Sequence, residues 1–324
     1  MADGQVQRLC LDLRFRFQWP GDVRRYRVVQ RWSSRTSDFF LCAPERAGTP
    51  VVLKVLSRER DADPRGCFEI LQALEQMYRG IPAEAARPPR ALGWIGEPPT
   101  IAMEYVSGRD GRESVRNLLL TGDEVGLSSL VRSATAVLGA WHSWWGVTWS
   151  EGSGDESRRR LARLARRQGV RLGRMVPPTA RMPLVRRFRD FGVYNLRIAD
   201  DGDIVILDPP PPASRDVDSA ARDVAWFLAS IAGAVVASGT VPKRSRAGLL
   251  RTYRDSRADI RTWAFEGYAA GAGRHLTESE LRVTSLLEAS LLAARASRAR
   301  HRDVQAAAFL GRLALGSRWR AVHP

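Results

Sequence analysis

The chain has 324 residues, 44% hydrophobic and 27% charged, with a formal net charge of +16. Those proportions describe a soluble globular protein with ample material for a core. Three cysteines without C-x-x-C spacing (Cys10, Cys42, Cys67) and four scattered histidines argue against a disulfide scaffold or a zinc site, and for a reducing, cytoplasmic setting.

No basic stretch followed by an apolar run opens the chain, so no secretory leader is expected. The longest apolar run, Val224 to Ala237, is shorter than the roughly 18–20 residues that span a bilayer and predicts a buried helix instead. Only Lys54 and Lys243 are lysines, so 49 of the 51 basic residues are arginine, part of it compositional bias. A charge of this size still favours weak association with polyanions.

In chain order, Leu11–Phe17 alternates apolar and polar residues as a half-buried strand does. Tyr26–Trp32, Phe39–Ala43 and Val51–Leu56 supply three more strands, joined by the polar loops 33–38 and 44–50. Lys54 stands inside the last of these, in Val51-Val52-Leu53-Lys54-Val55-Leu56. A lysine inside such a strand either snorkels from a sheet edge or points into a cleft; kept in a chain that otherwise writes arginine, it suits a compact point charge for nucleotide phosphates. Residues 63–79 have a helical pattern with Phe68, Leu71, Ala73, Leu74 and Met77 apolar. Of its two glutamates, Glu69 is preferred over Glu75 as the carboxylate that orients Lys54, with an ordinary solvated glutamate as the alternative.

A Pro-rich linker covers 81–89, and Trp94-Ile95 and Thr100–Val106 read as the last strands of the sheet. Leu130, Ala134, Val137, Leu138, Trp141 and Trp145 then mark one apolar face of a long helix. Residues 157–189 hold twelve arginines and no Asp, Glu or Asn. Thr277-Glu278-Ser279-Glu280 has the form of a capping box, opening an Ala/Leu/Arg-rich helical region that runs to about Leu315.

The chemistry concentrates in Arg189-Asp190-Phe191-Gly192-Val193-Tyr194-Asn195 and the segment after it. Asp190-Phe191-Gly192 spells the metal-binding tripeptide of protein kinases, which needs a catalytic Asp and an Asn upstream. The acid-free stretch 157–189 supplies neither. With Asp190 as the catalytic carboxylate, Asn195 falls at the fifth position after it, as in H-R-D-x-x-x-x-N. Leu196–Ala199 and Ile204–Leu207 flank an Asp-Gly turn, a hairpin that returns the chain at Asp208. Asn195 and Asp208 then read as ligands for Mg²⁺ and Asp190 as the group that orients an attacking hydroxyl.

On these residues the chain resembles the aminoglycoside phosphotransferase and choline-kinase-like family, over roughly residues 25–235. The resemblance implies an α+β, bilobal protein-kinase-like fold: a small N-terminal antiparallel sheet with one helix (1–106, nucleotide-binding) and a larger, mainly helical C-terminal lobe (107–324, catalytic loop and acceptor site). It implies ATP and Mg²⁺ as cofactors and a small-molecule hydroxyl as acceptor. Ile101–Gly108 is similar to the family's interlobe linker, so backbone groups of Met103, Glu104, Tyr105 and Val106 are expected to meet adenine. Leu138-Gly139-Ala140-Trp141-His142 is similar to its L-x-x-L-H helix. Arg222–Leu228 resembles its D-L-A-x-F-L helix, whose Asp, here Asp223, braces the catalytic loop.

The chain departs from the pattern in three places. Phe188-Arg189 stand where His-Gly is usual, Pro209–Pro212 follow Asp208, and the phosphate loop 33–37 has no glycine, leaving Ser34 and Thr36 hydroxyls to help its amides. Arg251, Arg254, Arg257, Arg261, Arg295, Arg298, Arg300 and Arg302 favour a neutral or anionic acceptor over a cationic antibiotic. Two other readings stand beside the small-molecule kinase: an inactive kinase-like module that binds a polyanion or protein partner through the 157–189 arginines, and a protein Ser/Thr kinase. Oligomeric state has no signal in the sequence.

Overall fold

The computed structural model describes residues 1–19, 25–34, 37–45, 48–56, 63–79, 86–149, 182–208, 217–237, 243–299 and 303–322. Its contacts divide into two compact units: residues 1–80, 87–108 and 205–214, and residues 81–86, 109–204 and 215–324.

The first unit is built on five antiparallel strands in the order β1-β2-β3-β5-β4: β1 (Tyr26–Ser33), β2 (Asp38–Pro44), β3 (Val51–Val55), β4 (Ala91–Ile95) and β5 (Thr100–Glu104). Residues 11–17 are not a strand. They belong to helix α1 (Asp3–Phe17), which buries Val6, Leu9, Cys10 and Leu13 at helical spacing. The short alternation was misleading because one of its apolar members, Phe15, is 91% exposed. Gln18 ends the helix in the left-handed conformation, with its N–H on the Arg14 carbonyl.

α1 packs on one face of the sheet, against Phe40, Cys42, Val51, Leu53, Val55 and Ala102. α2 (Pro64–Arg79) places Leu71 against Leu56, Ile101 and Met103. Alternation along β3 sends Val51, Leu53 and Val55 to the α1 side, so Val52 and Lys54 point to the α2 side. Strand period alone therefore fixes which way the lysine faces.

In the second unit, β6 (Gly108–Asp110) leads to α3 (Gly111–Thr121), capped by the Asp110 carboxylate, and α4 (Glu124–Trp144), capped by Asp123. β7 (Thr148–Trp149), β8 (Pro183–Arg186) and β11 (Val217–Ser219) form a small sheet. A 3₁₀ turn at Val193–Asn195 precedes β9 (Leu196–Ala199) and β10 (Ile204–Ile206), and the predicted turn closes with the Ala199 N–H on the Asp203 carbonyl at 2.8 Å.

Among the described residues the unit continues with the helices α5 (Ala221–Val236), α6 (Lys243–Ala272), α7 (Glu278–Ala299) and α8 (Val304–Val322). The capping box forms, with the Thr277 N–H on Glu280 Oε2 at 2.9 Å and the Glu280 N–H on Thr277 Oγ1 at 3.2 Å. The region to Leu315 is two helices rather than one, because Asp303 caps a second start by accepting the Ala306 N–H. Among the described residues no helix is long and apolar enough to cross a membrane.

α4 and α6 touch backbone to backbone. A Cβ on Gly271 would lie 1.8 Å from the Ala136 carbonyl oxygen, and one on Gly139 would lie 2.3 Å from that of Tyr268. Small residues at these crossings let the apolar face predicted around Leu130–Trp141 seat fully, with Val137, Leu138 and Trp141 buried.

Candidate active site

In the first unit, Lys54 Nζ lies 2.7 Å from Asp208 Oδ1 and 5.8 Å from the centre of the Phe39 ring, its cross-strand neighbour. The lysine is largely buried while Asp208 is 45% exposed, so the carboxylate stands at the mouth of the pair. Glu69 does not orient Lys54. It pairs with Arg65 one helical turn away at 2.8 Å, and Glu75 likewise takes Arg79 at 3.2 Å. An i,i+4 arginine on the same exposed helix face needs no tertiary arrangement to claim a glutamate.

The segment expected to meet adenine has mixed commitments. Met103 is buried in the cluster between β5 and α2, and Glu104 pairs with Arg87. The Glu104 N–H bonds the Arg90 carbonyl and the Tyr105 N–H that of Pro50. The buried Val106 carries no hydrogen bond among the described residues, which leaves its N–H available. At the β1–β2 turn, the Ser34 N–H bonds the Ser37 carbonyl at 2.8 Å and the Ser37 N–H bonds the Ser34 hydroxyl at 3.0 Å. Those two donors close the turn. Thr36 lies outside the described residues.

In the second unit, the loop around Asp190 is braced from below by Asp223 on α5. This fully buried carboxylate accepts from Arg187 Nη2 at 2.9 Å and from the Phe188 N–H at 2.7 Å, and lies 3.3 Å from His142 Nε2. Burial would raise the Asp223 carboxyl, but the Arg187 cation and the His142 contact outweigh it and hold it well below the usual carboxylate range. His142 reaches on to the Tyr268 hydroxyl at 3.2 Å. The brace grips the main chain at Phe188, which explains how Phe188 can stand where the family has His. Its ring packs on Trp141 and Phe191, with centroids 5.4 and 5.0 Å away. At the position where the family has Gly, Arg189 has φ +71°, the region glycine favours.

Asp190 itself is exposed. Its Oδ1 accepts from the Tyr194 hydroxyl, and that hydroxyl accepts from Trp226 Nε1 at 2.5 Å. Oδ2 has no partner among the described residues. Asn195 turns its amide nitrogen onto the Asp190 carbonyl at 2.9 Å, leaving its own oxygen outward. Burial and the Asp190 carboxylate both push the Tyr194 phenol up, so it remains a neutral donor.

Asn195 in the second unit and Asp208 in the first each keep one side-chain oxygen without a partner among the described residues, and each is a hard oxygen donor of the kind Mg²⁺ takes. Sequence reading missed Arg187, Tyr194, Trp226 and Arg87. Each acts through a partner distant in the chain or through a bond that its residue type does not announce.

Several arginines expected near an acceptor are committed elsewhere. Arg257 Nη2 lies 2.6 Å from the buried Glu288, Arg261 also pairs with that carboxylate, and Arg254 lies 2.9 Å from Asp255. Arg295 donates to the Ala229 carbonyl. Arg300 and Arg302 lie outside the described residues, as do residues 157–181 of the arginine-rich stretch. Arg186 stacks on Trp145, 3.9 Å from its centroid.

No protein-family model and no curated protein matches the chain. Solved structures do. A glucosamine kinase aligns over 93% of this chain and 94% of its own, at 15% identity and a TM-score of 0.55. A choline/ethanolamine kinase family protein from Mesorhizobium loti aligns over 91% and 90%, at 12% identity and a TM-score of 0.43. A spectinomycin phosphotransferase aligns over 98% of each chain, at 9% identity and a TM-score of 0.42. The likeness to the glucosamine kinase shows the fold: the chain has the α+β, protein-kinase-like architecture that the sequence resemblance implied.

Proposed function

We propose that the chain is a phosphotransferase that moves the γ-phosphoryl group of ATP to a hydroxyl of a small molecule. The observation that carries this reading is the loop from Asp190 to Asn195. It presents one carboxylate oxygen and one amide oxygen without partners among the described residues, on a backbone fixed by Asp223 and by the 3₁₀ turn. The glucosamine kinase that shares the fold acts, by its name, on a small molecule bearing hydroxyls.

In this mechanism Asp190 Oδ2 accepts a hydrogen bond from the acceptor hydroxyl and sets its oxygen in line with the γ-phosphorus. The new O–P bond forms as the bond between the γ-phosphorus and the bridging oxygen breaks, and ADP leaves with that electron pair. The hydroxyl proton passes to Asp190 late, since the transition state is loose. Lys54 meets the α- and β-phosphates as a point charge, exchanging its contact with Asp208 for them. Asn195 and Asp208 are the residues that would hold Mg²⁺, which would supply positive charge to neutralise the transferred group and the leaving ADP. The Val106 N–H is the backbone donor for adenine.

The closed Ser34–Ser37 turn favours a second reading, an inactive module that does not grip phosphates. Thermal unfolding separates the two. A ligand that binds only the folded chain stabilises it by RT ln(1 + [L]/Kd), about 2.7 kcal/mol at a hundred times Kd. The enzyme reading requires a Tm rise with ATP and Mg²⁺ that Asp208→Ala abolishes; no shift with nucleotide and metal together overturns it.

A further inference from the structure

Tyr194 sits between two groups that fix the direction of its bonds. An indole N–H can only donate and an ionised carboxylate can only accept. With Trp226 Nε1 at 2.5 Å on one side and Asp190 Oδ1 on the other, the Tyr194 proton must point at Asp190. α5 supplies both ends of the seat. Trp226 holds the hydroxyl, and Ser230, one turn further, accepts the Val193 N–H at 2.9 Å while donating to the Phe227 carbonyl at 2.6 Å. Gly192 completes it. A Cβ there would lie 2.5 Å from the Tyr194 ring, so the ring reaches Asp190 only because this residue has none. The Asp-Phe-Gly spelling, uninformative about metal binding, thus has a steric reason.

We propose that Tyr194, seated by Trp226 in the space left at Gly192, is a positioning residue that pins Oδ1 of Asp190 and so aims Oδ2 at the acceptor hydroxyl. The inference rests on the reading of Asp190 given above. An exposed carboxylate otherwise rotates freely about its terminal torsion, and every wrong orientation is lost to catalysis. A charge-assisted bond from a half-buried phenol held by Trp226 removes that freedom.

The test uses the full chain with Mg·ATP, following ADP formation under single-turnover conditions with water alone and with a panel of neutral and anionic hydroxyl compounds as acceptors. Tyr194→Phe keeps the ring and removes the hydroxyl, and should lower the rate about ten- to a hundredfold with the ATP concentration dependence unchanged. Trp226→Phe should lower it less, and the double variant should be no slower than Tyr194→Phe alone, because Trp226 acts through the phenol. Gly192→Ala should reproduce the Tyr194→Phe loss; thermal unfolding confirms that each variant is folded.

If Asp190→Asn abolishes turnover while Tyr194→Phe leaves the rate unchanged, the positioning role is wrong and the reading of Asp190 stands. Losses that add in the double variant also overturn it, since the two residues then act separately. Full turnover in Asp190→Asn, or none in the unmodified chain with any acceptor of the panel, overturns the reading on which the inference depends.

Discussion

Removing the Asp223 carboxylate by Asp223→Ala takes a partner from Arg187, the Phe188 N–H and His142, of which the first two carry most of the cost. The Arg187 guanidinium is 6% exposed and its partner not at all, so the lost ion pair leaves a buried charge without this counter-ion. Breaking such a pair costs about 3–5 kcal/mol. The Phe188 N–H, 2.7 Å from the same carboxylate, also loses its acceptor, at about 1–3 kcal/mol for a buried unsatisfied donor. The two costs share one carboxylate and do not add in full, so the expected loss is about 4–5 kcal/mol. At a urea m-value of about 3 kcal/mol per molar, the unfolding midpoint should fall by about 1.5 M. Adding Arg187→Met should recover much of this, because the stranded charge disappears with it. The pH dependence has a fixed sign. A carboxyl held below its unfolded value contributes in full above the ordinary range near pH 4, and its contribution is lost as pH falls through that range toward the depressed folded value. Urea unfolding at pH 7 and in steps below pH 5 tests both parts. A midpoint shift under about 0.3 M, or a double variant as unstable as Asp223→Ala, would refute the brace.

Two further substitutions probe the backbone. Arg189→Gly should be more stable than Arg189→Ala by about 1 kcal/mol, since only glycine occupies φ +71° without cost; equal urea midpoints would show that the left-handed residue carries no strain. Gly271→Ala should cost about 1–3 kcal/mol by forcing α4 and α6 apart, whereas Gly248→Ala, with open space at its Cβ on the same helix, should stabilise by about 0.5–1 kcal/mol. Paired thermal melts check this, and losses of similar size at both positions would contradict the close crossing.

Features held within a few residues were the most legible from sequence. The Asp190–Asn195 spacing, the Asp-Gly turn, the Thr277 capping box and the strand around Lys54 rest on local backbone preferences that neighbouring residues announce. Pairings chosen by the fold were not. Lys54 meets Asp208 across 154 residues of chain, and Arg187 meets Asp223 across 36, while Glu69 is taken by a neighbour on its own helix. The strand expected at 11–17 failed for a different reason. Seven residues are too few to separate period 2 from period 3.6 when arginines fill the gaps, and the stripe that decides it, Val6 to Leu13, begins upstream. The arginine-rich composition misled in a similar way, since Arg257 and Arg261 face inward onto Glu288 instead of an acceptor.

The account turns on Asp190 as the residue that receives the acceptor hydroxyl. Phosphorus NMR of the full chain with Mg·ATP and a panel of neutral and anionic hydroxyl compounds follows the γ-phosphoryl group to its product. The account predicts a phosphate monoester and ADP with at least one acceptor, and for Asp190→Asn no ester while Mg·ATP still binds. An Asp190→Asn variant that forms the ester at the rate of the unmodified chain would contradict it.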